Sequence, residues 1–292
     1  LKKYYAAGDH FTVVFSAFGG VTDSLIKMSK LAAAGDDEYG AIFQQFTQRH
    51  QDAITDLLPE GPLRDETAQK MRQSHEVLKN LLYGIFLVRE ASSRSMDYVL
   101  SFGERSSAYI ISQTLTATGV PTEYLDARNI IKTDRNFGAA KVDFEQTYRK
   151  ISSYYGDHPK VQIVTGFISS AKGGLTTTLG RGGSDYTASL LAAGLKADAI
   201  EIWTDVSGVL TADPRRVKKA FTIPIMTYAE AMEMSHFGAK VIYPPTLLPA
   251  MQRQIPLFIK NTFDPEFPGT RVSNRGSQEG NAVRGISSIN GV

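Results

Sequence analysis

Arg181 sits between Gly180 and the pair Gly182 and Gly183, directly ahead of Ser184 and Asp185, in the run TTTLGRGGSDYTASLLAAG (176–194). Glycine allows positive φ and a close backbone approach to a ligand. The guanidinium adds a planar fork suited to carboxylate or phosphate. Tyr186, Ala188, Leu190, Leu191 and Ala192 follow at helical spacing, so a helix is expected to start here with Ser184 or Asp185 as its cap. Its free N–H groups and the positive end of its dipole would face the loop and favour an anion. The spacing matches neither GxxxxGK[ST] nor GxGxxG. TTTLGRGGSD (176–185) reads as a loop, and taken alone an ordinary glycine-rich turn with an exposed arginine explains it equally well.

Other stretches carry polar or glycine-rich residues where strands are expected to end, the place an open α/β sheet binds ligands. SAFGGVTDS (16–24) offers Ser16, a glycine pair, and Thr22 or Asp23 as a helix cap. In WTDVSGVLTADPRRVKKA (203–220), Thr204 and Asp205 end a strand, and Arg215 and Arg216 load the following loop with cations. Trp203 reads as core packing. SHFGAKVIYPPT (235–246) sets Lys240 in an apolar context, with His236 read as structural. SFGERSS (101–107) places Glu104 on a helix ahead of the strand at 122–126, and Glu104 with Arg105 reads as a surface pair. No Ser-His-Asp order accompanies a G-x-S-x-G elbow. Loop cations with glycine-led helix starts suit phosphoryl transfer, which needs positioning and charge neutralisation above all.

These residues need a scaffold, and the pattern supplies one. HFTVVFS (10–16), TEYLDA (122–127), VQIVTGF (161–167), AIEIWTD (199–205) and IPLFIKNT (255–262) read as strands, with mostly helical sequence over 36–118. That alternation predicts an α/β fold, a three-layer α/β/α sandwich around a mainly parallel central sheet. The 292 residues, 42% of them hydrophobic, can bury a large core. Thirty-two basic against 30 acidic residues leave a formal charge of +2, giving no electrostatic case for a nucleic-acid or membrane partner. The absence of Cys excludes disulfides and thiolate metal sites and fits a reducing cytoplasm. The stretch DPEFPGTRVSNRGSQEG (264–280) reads as a domain boundary, and both ends of the sequence read as cut from a longer protein.

In order and over nearly the whole chain, SAFGGVTDSL, SFGERSS, VTGFISS, TTTLGRGGSDYTA, WTDVSGVLTADPR, FGAKVIYPPTL and GTRVS resemble the aspartate kinases of the amino acid kinase family. The texture is most similar to the kinase part of a bifunctional aspartokinase–homoserine dehydrogenase. The resemblance implies ATP-dependent phosphorylation of the side-chain carboxylate of L-aspartate, the first step of the aspartate-derived amino acid pathway. It assigns aspartate to Ser16, Thr22, Glu104 and Arg181, with Arg181 on a carboxylate and Glu104 on the ammonium group. It assigns ATP to Gly182, Gly183, Thr204, Asp205, Arg215 and Lys240, with Asp185 and Lys240 as catalytic residues. Mg²⁺ would be bound to phosphate oxygens with few protein ligands.

The family's opening KFGGTS, whose lysine reaches the transferring phosphates, does not occur in the sequence; AFGG at 17–20 belongs to the next motif. Leu210 replaces a frequent Tyr, and Tyr243 a frequent His. The expected organisation is therefore a kinase domain over 1–263 lacking its first strand and lysine loop. Residues 264–292 are expected to form a linker and the start of a regulatory ACT region. A chain so truncated is expected to be inactive, its full-length form being a homo-oligomer. The competing readings are another carboxylate kinase of this fold and a non-catalytic nucleotide- or amino-acid-binding fragment.

Overall fold

A computed structural model describes residues 1–213, 215–236, 243–275 and 285. The chain divides into two compact units, Leu1–Ser184 and Asp185–Val292. In the first, α1 (Lys2–Ala6) precedes β1 (Thr12–Phe15), which is followed by four helices: α2 (Val21–Ala34), α3 (Tyr39–Leu57), α4 (Pro62–Val88) and α5 (Ser93–Ala117). Then come β2 (Thr122–Leu125), β3 (Lys132–Thr133), α6 (Phe144–Asp157), β4 (Val161–Thr165), β5 (Ile168–Ala171) and β6 (Leu175–Thr178). α7 (Gly183–Leu195) carries the chain into the second unit. There β7 (Ile200–Thr204), β8 (Ile225–Thr227), α8 (Tyr228–His236), α9 (Pro244–Gln252), β9 (Leu257–Asn261) and β10 (Thr270–Ser273) complete the described α-helices and strands.

Local chemistry sets these limits. Pro62 opens α4, where its missing N–H costs nothing. The side chain of Ser92 caps α5 by accepting from Ser95 N–H, and Asp143 caps α6 by accepting from Gln146 N–H. Gly35 ends α2 in the left-handed region at φ 72°. β4 lies between β1 and β2 with both pairings parallel, so Val161–Thr165 is almost wholly buried and reads as an unbroken run. The first unit's helices close around Leu25, Met28, Phe46, Leu78, Leu82 and Phe102. The second unit's core gathers Ile200, Ile202, Met226, Leu247, Leu257 and Ile259.

The fold is α/β with mainly parallel pairing, as expected. Among the described residues five of the seven strand pairs are parallel, in ladders ordered β1-β4-β2, β3-β5-β6 and β7-β9-β10-β8. Three local expectations are corrected. The threonines at 176–178 do not belong to a loop: they form β6, antiparallel to β5. Thr177 Oγ1 sits 2.9 Å from Ser169 Oγ and 2.7 Å from Thr133 Oγ1, so the hydroxyls satisfy one another inside the sheet. Neither Thr22 nor Asp23 caps α2, because the cap is Gly20 at φ 78°, a conformation costly for any side chain. Ser184 and Asp185 lie inside the first turn of α7, which starts at Gly183. No helix among the described residues is long and apolar enough to cross a membrane.

Leu78 is fully buried in the helical core. Leu78→Ala is expected to lower unfolding stability by about 2–5 kcal/mol through lost burial and a residual cavity. Chemical denaturation measures this, and an unchanged midpoint would contradict the packing described.

Candidate active site

The first cluster forms where β1 ends. Ser107 Oγ on α5 donates to the carbonyl of Ser16 at 2.6 Å, tying helix to strand end. One turn earlier on α5, a Cβ on Gly103 would lie 2.8 Å from Ala17 Cβ, so only glycine permits this approach. The approach brings the neighbouring Glu104 inside the protein at 4% exposure. Its carboxyl accepts from its own N–H and from Ala17 N–H, while Oε2 has no hydrogen-bond partner. Burial, partly offset by those two N–H groups, raises Glu104 from 4.5 to about 7.

The expected Glu104–Arg105 surface pair is thus overturned. Arg105 turns to aromatic neighbours, lying 4.5 Å from the Phe102 ring centroid and hydrogen-bonding Tyr124. Adjacent helical positions point about 100° apart, so two sequence neighbours need not share a surface.

The second cluster surrounds the arginine loop. With β6 ending at Thr178, the loop shrinks to Leu179–Gly182, with Gly180 at φ 74° and Gly182 at φ 69°. Arg181 projects from it, exposed to solvent. The loop is anchored at both sides. Leu179 N–H donates to Phe167 O at 2.9 Å, and a Cβ on Gly183 would meet the Phe167 ring at 2.7 Å. A Cβ on Gly166 would clash with Ser184 at 2.4 Å. Gly166 N–H in turn donates to Phe15 O at 2.9 Å. Contacts therefore run from the Ser16 strand end through Gly166 and Phe167 to the loop and first turn of α7. In that turn Asp185 is half-buried, and burial raises it to about 6.

One contributor has no motif in the sequence reading. Buried Asp97 accepts from Thr178 N–H at 3.0 Å, Thr178 Oγ1 at 2.8 Å and Gly138 N–H at 3.0 Å. It locks the end of β6, and so the root of the arginine loop, onto α5. Asp97 precedes Glu104 by two helical turns, and that spacing of two acids on one helix face is the signal that would have found it.

In the second unit, Thr204 ends β7, with its hydroxyl 3.2 Å from Asp205 Oδ1 and its carbonyl accepting from Thr262 N–H at 2.8 Å. Asp205 is exposed. Gly208 at φ 102° packs so closely that a Cβ would lie 2.4 Å from Thr270 Oγ1. Arg215 is exposed and forks onto Asp213, with Nε at 3.1 Å and Nη2 at 2.9 Å from the carboxylate oxygens. Trp203 is not core packing: it shares with Glu201 the face of β7 opposite Ile200 and Ile202, and is 38% exposed. Its Nε1 donates to Glu201 at 3.0 Å and Lys260 Nζ lies 5.2 Å from its ring centroid. Thr22 falls in the first turn of α2, whereas Lys240 lies outside the described residues.

The profile of the amino acid kinase family matches residues 1–261, and the chain belongs to that family. Within it, the relatives it resembles are aspartokinases. It is 32% identical over 272 residues to the chloroplastic bifunctional aspartokinase/homoserine dehydrogenase 2 of Zea mays, covering 91% of this chain and 29% of that protein. To the lysine-sensitive aspartokinase 3 of Escherichia coli K12 it is 36% identical over 275 residues, 90% of this chain and 57% of the relative. The crystal structure of E. coli aspartokinase III with aspartate and ADP superposes with a TM-score of 0.85 at 34% identity, covering 94% of this chain and 60% of that one. The chain thus spans less than a third of the length of the maize relative.

Two predictions follow from the Glu104 cluster. Gly103→Ala is expected to destabilise the fold by about 1–3 kcal/mol by forcing α5 off Ala17; a melting comparison with Gly84→Ala, where a Cβ meets nothing within 4 Å, isolates the effect. Because the folded pKa of Glu104 lies above its unfolded value, the folded state holds the proton more tightly. Stability is fully present at low pH and falls by about 3 kcal/mol as pH rises from 4.5 to about 7. Stability–pH curves for wild type and Glu104→Gln should diverge over this window; parallel curves would refute the shift.

Proposed function

We propose that the full-length protein transfers the γ-phosphoryl group of ATP to the side-chain carboxylate of L-aspartate. The observation that carries this reading is Glu104, a buried carboxyl with one oxygen unpartnered, at the strand end that bears Ser16. An α-ammonium group satisfies that oxygen and restores the charge lost to burial. Arg181 offers the complementary fork for a carboxylate, and Ser16 and Thr22 add hydroxyls. Aspartate has this combination of groups, and the related E. coli aspartokinase III is known in complex with aspartate and ADP.

The reaction follows from the acceptor's chemistry. A side-chain carboxylate is ionised at neutral pH, so no base need remove a proton from it. Its oxygen forms a bond to the γ-phosphorus as the bond to the β–γ bridging oxygen breaks, giving aspartyl phosphate and ADP. The barrier is repulsion between anions, which cations and backbone N–H groups lower. Gly182 and Gly183 bring backbone to the phosphates. Thr204, Asp205, Arg215 and Lys240 hold the nucleotide; Lys240 also stabilises the transferring group, and Asp185 orients the cations. Phosphate-bound Mg²⁺, needing few protein ligands, would supply further charge neutralisation.

The reading extends to a kinase domain over 1–263, with 264–292 as linker and the start of an ACT region, within a cytoplasmic homo-oligomer that binds neither nucleic acid nor membrane. Trapping the acyl phosphate with hydroxylamine in the full-length protein tests it. Turnover with aspartate alone supports it, turnover with glutamate or acetylglutamate favours another carboxylate kinase, and binding without turnover favours a non-catalytic module.

Arg181→Ala should cost about 2–5 kcal/mol in aspartate binding, raising its KM far more than that of ATP, with poor rescue by Arg181→Lys. An unchanged aspartate KM would remove Arg181 from the acceptor site. With Glu104 at about 7, protonation competes with ammonium binding on the acid side. The aspartate KM is therefore expected to rise about tenfold per pH unit below 7, and to lose that dependence in Glu104→Gln. A flat KM–pH profile in the wild type would contradict the assignment.

A further inference from the structure

On the first unit, away from the Glu104 contacts, lies a cavity of about 590 Å³ lined by Arg94, Tyr98, Arg128, Thr176, Leu81 and Leu175 among others. Tyr98 precedes Glu104 by six residues on α5, an axial separation of about 9 Å. Arg128 spends three of its five N–H groups inside the protein. Nε and Nη2 fork onto Asp126, Nη2 at 2.6 Å, and Nη1 donates to Thr176 Oγ1 at 2.9 Å. Two N–H groups remain. Arg94 is exposed with no ion-pair partner, and the Tyr98 hydroxyl has no hydrogen-bond partner, among the described residues. Ser92 and Ser95, also on the rim, hydrogen-bond each other at 2.9 Å and so offer less to a ligand.

We propose that this cavity is a second carboxylate site, built for a small monocarboxylate with an apolar body. Asp126 already neutralises Arg128, so one uncompensated positive charge, that of Arg94, faces the space. That charge balances a monoanion and leaves a phosphate dianion half compensated. The Tyr98 hydroxyl and the remaining Arg128 N–H groups donate to carboxylate oxygens, while Leu81 and Leu175 cover hydrocarbon. No carboxylate lining the cavity is available to an ammonium group, which separates this site from the Glu104 cluster. Thr176 lies on β6 two residues before Thr178, which Asp97 clamps to α5. A ligand here therefore touches the two elements that carry Glu104 and the arginine loop, although the site does not depend on the proposed kinase reading.

The test is an NMR titration of the intact chain with butyrate, with inorganic phosphate as comparator. Saturable amide shifts around Ser95–Tyr98 and Thr176 are expected, with affinity at least tenfold weaker in Arg94→Gln and unchanged in Arg181→Ala. Arg94 is exposed, so its replacement should fold normally. Shifts centred on Gly180–Gly182 that vanish in Arg181→Ala would reassign the anion to the acceptor loop and overturn the proposal. No saturable binding, or wild-type affinity in Arg94→Gln, would also overturn it. Tighter binding of phosphate than of butyrate would overturn the monocarboxylate assignment.

Discussion

Most of the first unit's architecture answers to one constraint, a carboxyl group kept inside the protein with half its hydrogen-bonding capacity unused. Burying a carboxyl without partners is unfavourable, and the group responds by holding its proton. Keeping Glu104 there requires α5 to lie directly against the end of β1. That approach depends on the missing side chain at Gly103, the Ser107–Ser16 bond and the Asp97 clamp. The helices α2, α3 and α4 provide the mass that makes such strain tolerable, burying Leu25, Met28, Phe46 and Leu78 behind the site.

The same core holds a second buried polar group in a different way. His50 and His75 meet edge to face at 5.2 Å beside Phe46, and Phe18, in the loop after Ser16, stacks on His50 at 5.2 Å. Burial lowers both histidines, His75 to about 3, so they pack as neutral rings. His50 Nδ1 bonds Phe46 O at 2.8 Å, and His75 Nε2 lies 3.3 Å from Ser106 Oγ. His50 Nε2, like Glu104 Oε2, has no hydrogen-bond partner among the described residues, but a neutral ring nitrogen carries no charge to restore, whereas a carboxyl does.

The sequence carried much of this. Strands β1, β2, β4, β7 and β9 show apolar runs bounded by turn residues, and each lies where that pattern puts it. Among the strands it hides, Ile168–Ala171 and Leu175–Thr178 are rich in small polar residues whose hydroxyls bond across strands, which no hydropathy pattern reports. Trp203 reads as core by residue type, yet it alternates with Ile200 and Ile202 along β7, a pattern that puts it on the other face. Glu104 shows the deeper limit. Its charge says surface, and only the Gly103–Ala17 contact, made between residues far apart in the chain, moves it inside.

Asp185 is a second carboxyl of this kind. Like Glu104 it is held by burial above the usual carboxylate range, at about 6, and no hydrogen bond contributes to that shift. Two carboxyls that resist ionisation are an electrostatic deficit, and the deficit has a sign: each favours cations that come with a ligand over solvent. On the proposed function, an amino acid's ammonium group or a nucleotide's counter-ion would ionise these groups and recover what burial cost. Ligands that do so stabilise the fold by mass action and bind more tightly than their contact area alone implies. On that reading, charge incompleteness in the free protein would itself be a source of selectivity, since a ligand lacking the positive group recovers nothing.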